Sequence, residues 1–108
     1  MLNLLNFVSE IEKNVVEYRH HIHRNPELSL QEFETADYVE SILKTVAGID
    51  SVRRISPTGI LAEIKGTGPG ESRCIALRGD MDALPGEEKA DVPYKSTRPG
   101  VVHSCGHD

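Results

Sequence analysis

A chain of 108 residues, 38% of them hydrophobic and 27% charged, buries one modest core, about two-thirds of the surface its unfolded form exposes, and so reads as one domain or part of one. Seventeen acidic against twelve basic residues give a formal net charge of -5, which argues against nucleic acid or an anionic membrane as partner. No apolar run nears the roughly 18 residues of a membrane span, and no basic start followed by an apolar stretch and a cleavage site is visible, so the default compartment is the cytoplasm. In that compartment the two cysteines are expected as thiols or metal ligands rather than as a disulfide.

In chain order, Leu4, Val8, Ile11, Val15, Tyr18 and Ile22 recur at steps of four and three, which predicts one amphipathic helix with its stripe on a core. Asn25-Pro26 should end it, because proline disfavours a helical residue before it. His20, His21 and His23 fall near its C-terminus, where imidazolium suits the helix dipole. As a metal cluster they are poorly placed, since they do not share one helical face. Ser29 with Glu32 reads as a capping box opening a second helix, whose apolar stripe runs Phe33, Ala36, Tyr38 or Val39, Leu43 and Val46 to a stop at Gly48.

Short β segments follow at Ser51 to Ile55, Ile60 to Ile64 and Arg73 to Gly79. The last is apolar enough for a buried central strand, with Cys74 as a buried structural thiol. Gly66 to Gly70 reads as the hairpin turn between the last two, since a phosphate loop would need a Lys-Ser/Thr ending and a following helix. From Ala83 to Val102 there is no periodicity, and Pro85, Pro93 and Pro99 interrupt the stretch, which predicts a long functional loop.

Two stretches carry chemistry. Asp80 and Asp82, spaced i, i+2, follow the apolar run directly and fall at a strand end, where open α/β sheets bind ligands. His103 to Asp108 places a soft thiolate, an imidazole and a carboxylate within four positions around Gly106. In an extended segment Cys105 and His107 leave on the same side and could meet one cation, although Cys-x-His is also ordinary loop chemistry. Two ligands do not complete a catalytic zinc site, so partners from elsewhere are needed. A cysteine nucleophile activated by His103 or His107 competes, without any upstream helix or oxyanion device to support it. Adhesion through Arg78-Gly79-Asp80 competes too, but such a tripeptide needs a loop tip and this one follows a predicted buried strand.

Leu77 to Pro85 and His103 to Asp108, with Arg19 to Ser29 upstream, resemble the N-terminal signatures of the M20-type metallopeptidase/amidohydrolase family. The matching branch holds hippurate hydrolases, N-acyl-amino-acid amidohydrolases (aminoacylases) and auxin-conjugate hydrolases, and the resemblance runs from about Tyr18 to the end. It implies an α/β fold, the N-terminal portion of a zinc-exopeptidase-like catalytic domain, in which two helices precede a small mixed sheet and a long active-site loop. It also implies metal-dependent hydrolysis of the amide bond of N-acyl amino acids or related conjugates. One or two divalent ions, with Zn, Mn, Co and Ni undistinguished, would serve that reaction.

Residue by residue, Cys105 and His107 match the branch's metal ligands. Asp80 stands where other branches place a metal-binding histidine, and Asp82 matches the aspartate two residues on, so both are expected to orient ligands rather than bind the ion. Gly86 departs from the usual aliphatic residue. By the same resemblance, the general-base glutamate, the remaining ligands and a dimerising satellite domain are expected beyond Asp108. Residues 1–108 alone are then inactive, and a homo-oligomer forms only in the complete protein. The alternative is a truncated relic or interaction module that shares the family's start without its catalysis.

Overall fold

The computed structural model describes residues 4–71 and 73–108. Helix α1, Leu4–Arg24, stops where proline requires. Its last turn closes through Asn25, whose backbone N–H donates to the His21 and Ile22 carbonyls at 3.2 and 3.1 Å and whose side-chain amide donates to His21 at 2.8 Å. Helix α2, Phe33–Leu43, follows after a short turn.

The cap of α2 differs from the expected box. Ser29 lies three residues ahead of the N-cap residue Glu32 and makes no capping bond. The exposed helix N–H groups are taken instead by the Glu27 carboxylate, which accepts from Thr35 N at 2.6 Å, Thr35 Oγ1 at 2.7 Å and Glu34 N at 3.2 Å. A full negative charge at a helix N-terminus is favoured by both hydrogen bonding and the dipole. Burial opposes ionisation of Glu27, but the bonds from Thr35 and Glu34, with the nearby Arg98 charge, outweigh it and hold its pKa below the ordinary value.

Strands β1, Ser51–Arg54, and β2, Ile60–Glu63, form an antiparallel hairpin with Ser51 opposite Glu63 and Arg54 opposite Ile60. A Cβ on Gly59 at its turn would lie 2.6 Å from Ser56 Oγ and would displace the hydroxyl that accepts from Gly59 N. Arg54 pins the hairpin to α2, donating to Glu40 at 2.6 Å and to Asp37. A second antiparallel pair, β3 Leu84–Pro85 with β4 Val101–Val102, closes the long loop on itself. The stretch from Ala83 to Val102 is therefore not structureless. Gly86 N donates to Gly100 O at 2.9 Å, and a Cβ on Gly86 would meet Val102 Cγ1 at 3.2 Å. An aliphatic residue would crowd the ladder at that position. Both ladders are antiparallel, and parallel pairing among the described residues is confined to the single bridge of Leu28 with Ala83.

Several expected burials do not occur. Arg73 to Gly79 has no strand partner among the described residues, and Ile75 and Leu77 are 86% and 96% exposed. A lone extended segment has no ladder to form, so Gly66 to Gly70 is not a hairpin turn and Cys74 is exposed rather than buried. The N-terminal part of the α1 stripe is likewise uncovered, with Leu4, Val8, Ile11 and Val15 all more than half exposed, whereas Tyr18 and Ile22 are half-buried. Among the described residues, buried apolar side chains are few, namely Ala36, Ala83, Val102 and Pro26. The radius of gyration, 16.2 Å, exceeds the roughly 13 Å of a compact domain this long. The apolar patterns were read correctly as amphipathic, but the layers that would cover them are not supplied by the described residues.

Replacing Glu27 by Gln should lower stability by about 1 to 2 kcal/mol, seen as a reduced denaturant midpoint at unchanged slope. Because the Glu27 pKa is lowered on folding, its contribution is present above the unfolded-state value and is lost as pH falls through the folded-state one. The Gln variant should therefore lose less stability than the parent as pH falls from about 5 through the ordinary glutamate value of about 4.3 and below it.

Candidate metal centre

The long loop reaches the site region by wrapping the end of α1. Arg24 O, left without a helical partner, accepts from Thr97 N and Thr97 Oγ1, both at 2.9 Å. Arg24 Nη2 donates to Pro93 O at 3.1 Å. Tyr94 stacks on His20 with ring centroids 3.8 Å apart and meets the edge of His23 at 5.4 Å, while the Arg19 guanidinium lies 5.4 Å from its ring centre. The three histidines thus diverge, as their spacing predicted, with His21 stacked on Tyr38 at 3.8 Å.

His23 has a role that sequence reasoning missed. Its side chain is 6% exposed and bridges two carboxylates, with Nδ1 2.9 Å from Asp108 Oδ2 and Nε2 2.8 Å from Glu88 Oε2. Asp108 also accepts from Arg19, one turn earlier on the same face of α1. The available signal was the pair Arg19 and His23 at i, i+4 on a helix whose other face is apolar. Nothing local pointed to Glu88 or Asp108 as their partners.

Around this anchor lies a cleft of about 350 Å³ lined by Asp80, Asp82, His103, Cys105, His107 and Asp108, with Arg19, Ile22 and Leu84 completing it. All four residues singled out from sequence meet there, but their backbone setting differs from expectation. Asp80 and Asp82 follow an unpaired segment rather than a strand end. Cys105 and His107 lie in a tight turn rather than an extended segment, since Asp108 N donates to Cys105 O at 3.2 Å. Gly106 has open space around it and no left-handed backbone, so the turn does not itself require glycine there.

His107 Nδ1 stands 2.8 Å from Asp80 Oδ2. A carboxylate accepting from Nδ1–H leaves the Nε2 lone pair available, which is how metal-binding imidazoles are commonly oriented. His103 Nε2 is buried with no hydrogen-bond partner among the described residues. Burial, helped by the charges of His23 and Arg19, pushes the His103 pKa below its ordinary value against the pull of Asp108 and Asp82. Both nitrogens are therefore suited to meet a cation or a donor. No three His, Cys, Asp or Glu side chains among the described residues stand close enough together to hold an ion by themselves. The donor chemistry fits a divalent ion as part of a larger ligand set. Arg78-Gly79-Asp80 is exposed, contrary to the buried setting expected of it, but Arg78 and Asp80 pair with each other at 2.6 Å.

Residues 76–108 match the model of peptidase family M20/M25/M40. Over that stretch the chain resembles that family. It is 47% identical over 103 residues to an N-acetyldiaminopimelate deacetylase of Lactobacillus helveticus, covering 90% of this chain and 26% of the relative. It is 45% identical over 106 residues to thermostable carboxypeptidase 2 of Saccharolobus solfataricus, covering 97% and 26%. The crystal structure of the Bacillus subtilis YXEP protein, a dinuclear metal binding peptidase from the M20 family, superposes with a TM-score of 0.81 at 36% identity over 92% of this chain and 27% of that one. The chain thus spans about a quarter of the length of these relatives.

The Asp80 contact makes a direct prediction. Asp80→Ala should shift the His107 ring from its Nδ1–H tautomer toward a mixture, read from ring nitrogen chemical shifts by NMR. An unchanged tautomer would mean that the Asp80 bond does not orient the ring.

Proposed function

We propose that residues 1–108 form the N-terminal part of the catalytic domain of a metal-dependent amidohydrolase, acting on the amide bond of N-acyl amino acids or related conjugates. The observation that carries the reading is the single cleft in which Asp80 and Asp82 meet Cys105 and His107 from across the long loop. The family resemblance and relatives whose names denote deacetylase and carboxypeptidase support an amide as the bond cleaved.

In this reading Cys105 Sγ and His107 Nε2 hold one or two divalent ions together with donors from outside the described residues, and Zn, Mn, Co and Ni are equally admitted. A bound ion supplies Lewis acidity toward the amide carbonyl and toward water. Asp80 keeps the proton on His107 Nδ1 and so presents Nε2 as a donor. Asp82, half-buried in the same cleft, holds negative charge beside it. Arg19 and Asp108 fix the turn that carries both ligands. No residue of this chain is assigned as general base. The protein works in the cytoplasm on small molecules, and any homo-oligomer belongs to the complete polypeptide. No helix among the described residues is long and apolar enough to cross a membrane. The rival nucleophile reading lacks an activating contact, since no hydrogen bond joins Cys105 Sγ to His103 or His107 among the described residues.

The two readings separate at Cys105. As a ligand, Cys105 should alkylate slowly in the metal-loaded full-length protein and rapidly after chelation, and Cys105→Ser should lose metal and activity together. Alkylation indifferent to metal, or full metal occupancy in the serine variant, would exclude it as a ligand. Because Cys74 is exposed, it should react in both states and serves as the metal-independent reference.

A further inference from the structure

We propose that His23 is a positioning residue for the candidate centre, holding the Cys105–Asp108 turn in place by clamping Asp108 to Glu88. The inference rests on the metal-ligand reading of Cys105 and His107 given above.

The turn has few restraints of its own. Beyond the backbone bond from Asp108 to Cys105, the described contacts that tie residues 105–108 to the rest of the chain run through two side chains, His107 to Asp80 and Asp108 to α1. His107 is 74% exposed, so its bond to Asp80 is open to water, whereas His23 and Asp108 are 6% and 13% exposed. The shielded contact is the one that can fix the turn against solvent competition.

The imidazole is suited to this role because two carboxylate oxygens face its two ring nitrogens at 2.8 and 2.9 Å. The ring thus spans the two carboxylates, one at each end. Glu88 is in turn held by Ser96 N at 3.5 Å, within the loop that Thr97 ties to Arg24. Tyr94 packs edge-on against the same ring at 5.4 Å and restricts its rotation. Through His23 the helix end, the loop and the ligand-bearing turn become one unit. Arg19 holds Asp108 from the more open side, with 41% of its side chain exposed, and does not reach Glu88 by any described contact. It cannot replace the bridge.

The test is cobalt(II) titration of the full chain as the gene encodes it, following the thiolate-to-cobalt charge-transfer absorption that reports Cys105 ligation. The parent protein should show the band. His23→Ala should need roughly 10 to 100-fold more cobalt to develop it, the usual loss when a group behind a ligand is removed. His23→Gln keeps ring-like size but donates from one end only and should also weaken cobalt binding, which preserves the test if the alanine variant does not fold. Combining His23→Ala with Asp108→Asn should cost no more than the larger single effect, since both break the same clamp. Parent-like cobalt affinity in either His23 variant, or additive losses in the double variant, would overturn the positioning role. Absence of the band in the parent protein would instead remove the ligand reading beneath it, and the inference with it.

Discussion

The carboxylate of Asp108 accepts from Arg19 and pairs with His23, residues 89 and 85 positions earlier in the chain, and that contact decides where the ligand-bearing turn sits. It is shielded on the His23 side, where both partners are less than 15% exposed. Salt and water weaken such a contact far less than a surface pair such as Lys13 with Glu17, which at 3.9 Å and high exposure is worth about 0 to 1 kcal/mol. Everything else in the site follows from this anchor. The loop wraps α1 through Arg24 and Tyr94, β3 and β4 close its base, and Asp80 meets His107 across the cleft.

Much of this was legible in the sequence, for local reasons. The end of α1 at Asn25-Pro26 follows from proline stereochemistry, and the β segments from Ser51 and from Ile60 follow from their composition and alternation, although the hairpin was expected one segment later, at Gly66 to Gly70. The four site residues were found because their chemistry is concentrated in two short blocks. What escaped was long-range partner choice. The α2 cap comes from Glu27, which precedes the helix by several residues and reaches Thr35 across a turn that the bridge of Leu28 with Ala83 adjoins. His23 was visible as a basic residue near a helix end, but its partners Glu88 and Asp108 belong to segments that only the fold brings together.

The misplaced burials share one physical cause. Periodicity reports that a face is apolar, and it does not report what covers that face. The α1 stripe from Leu4 to Val15 and the run through Ile75 and Leu77 carry the pattern of a core without a neighbouring layer among the described residues. Cys74 was assigned to the interior on the strength of that run and is exposed with it. The site end of the molecule differs because it is held by hydrogen bonds and ion pairs between side chains rather than by an apolar layer.

The central claim is that Cys105 and His107, carried on the turn that Asp108 anchors, bind a divalent ion. X-ray absorption of the zinc-loaded full-length protein tests it most directly, because sulfur and nitrogen scatterers differ in strength and distance. The account predicts one sulfur at about 2.3 Å together with imidazole nitrogen at about 2.0 to 2.1 Å. A first shell of oxygen and nitrogen alone, with no sulfur, would contradict it.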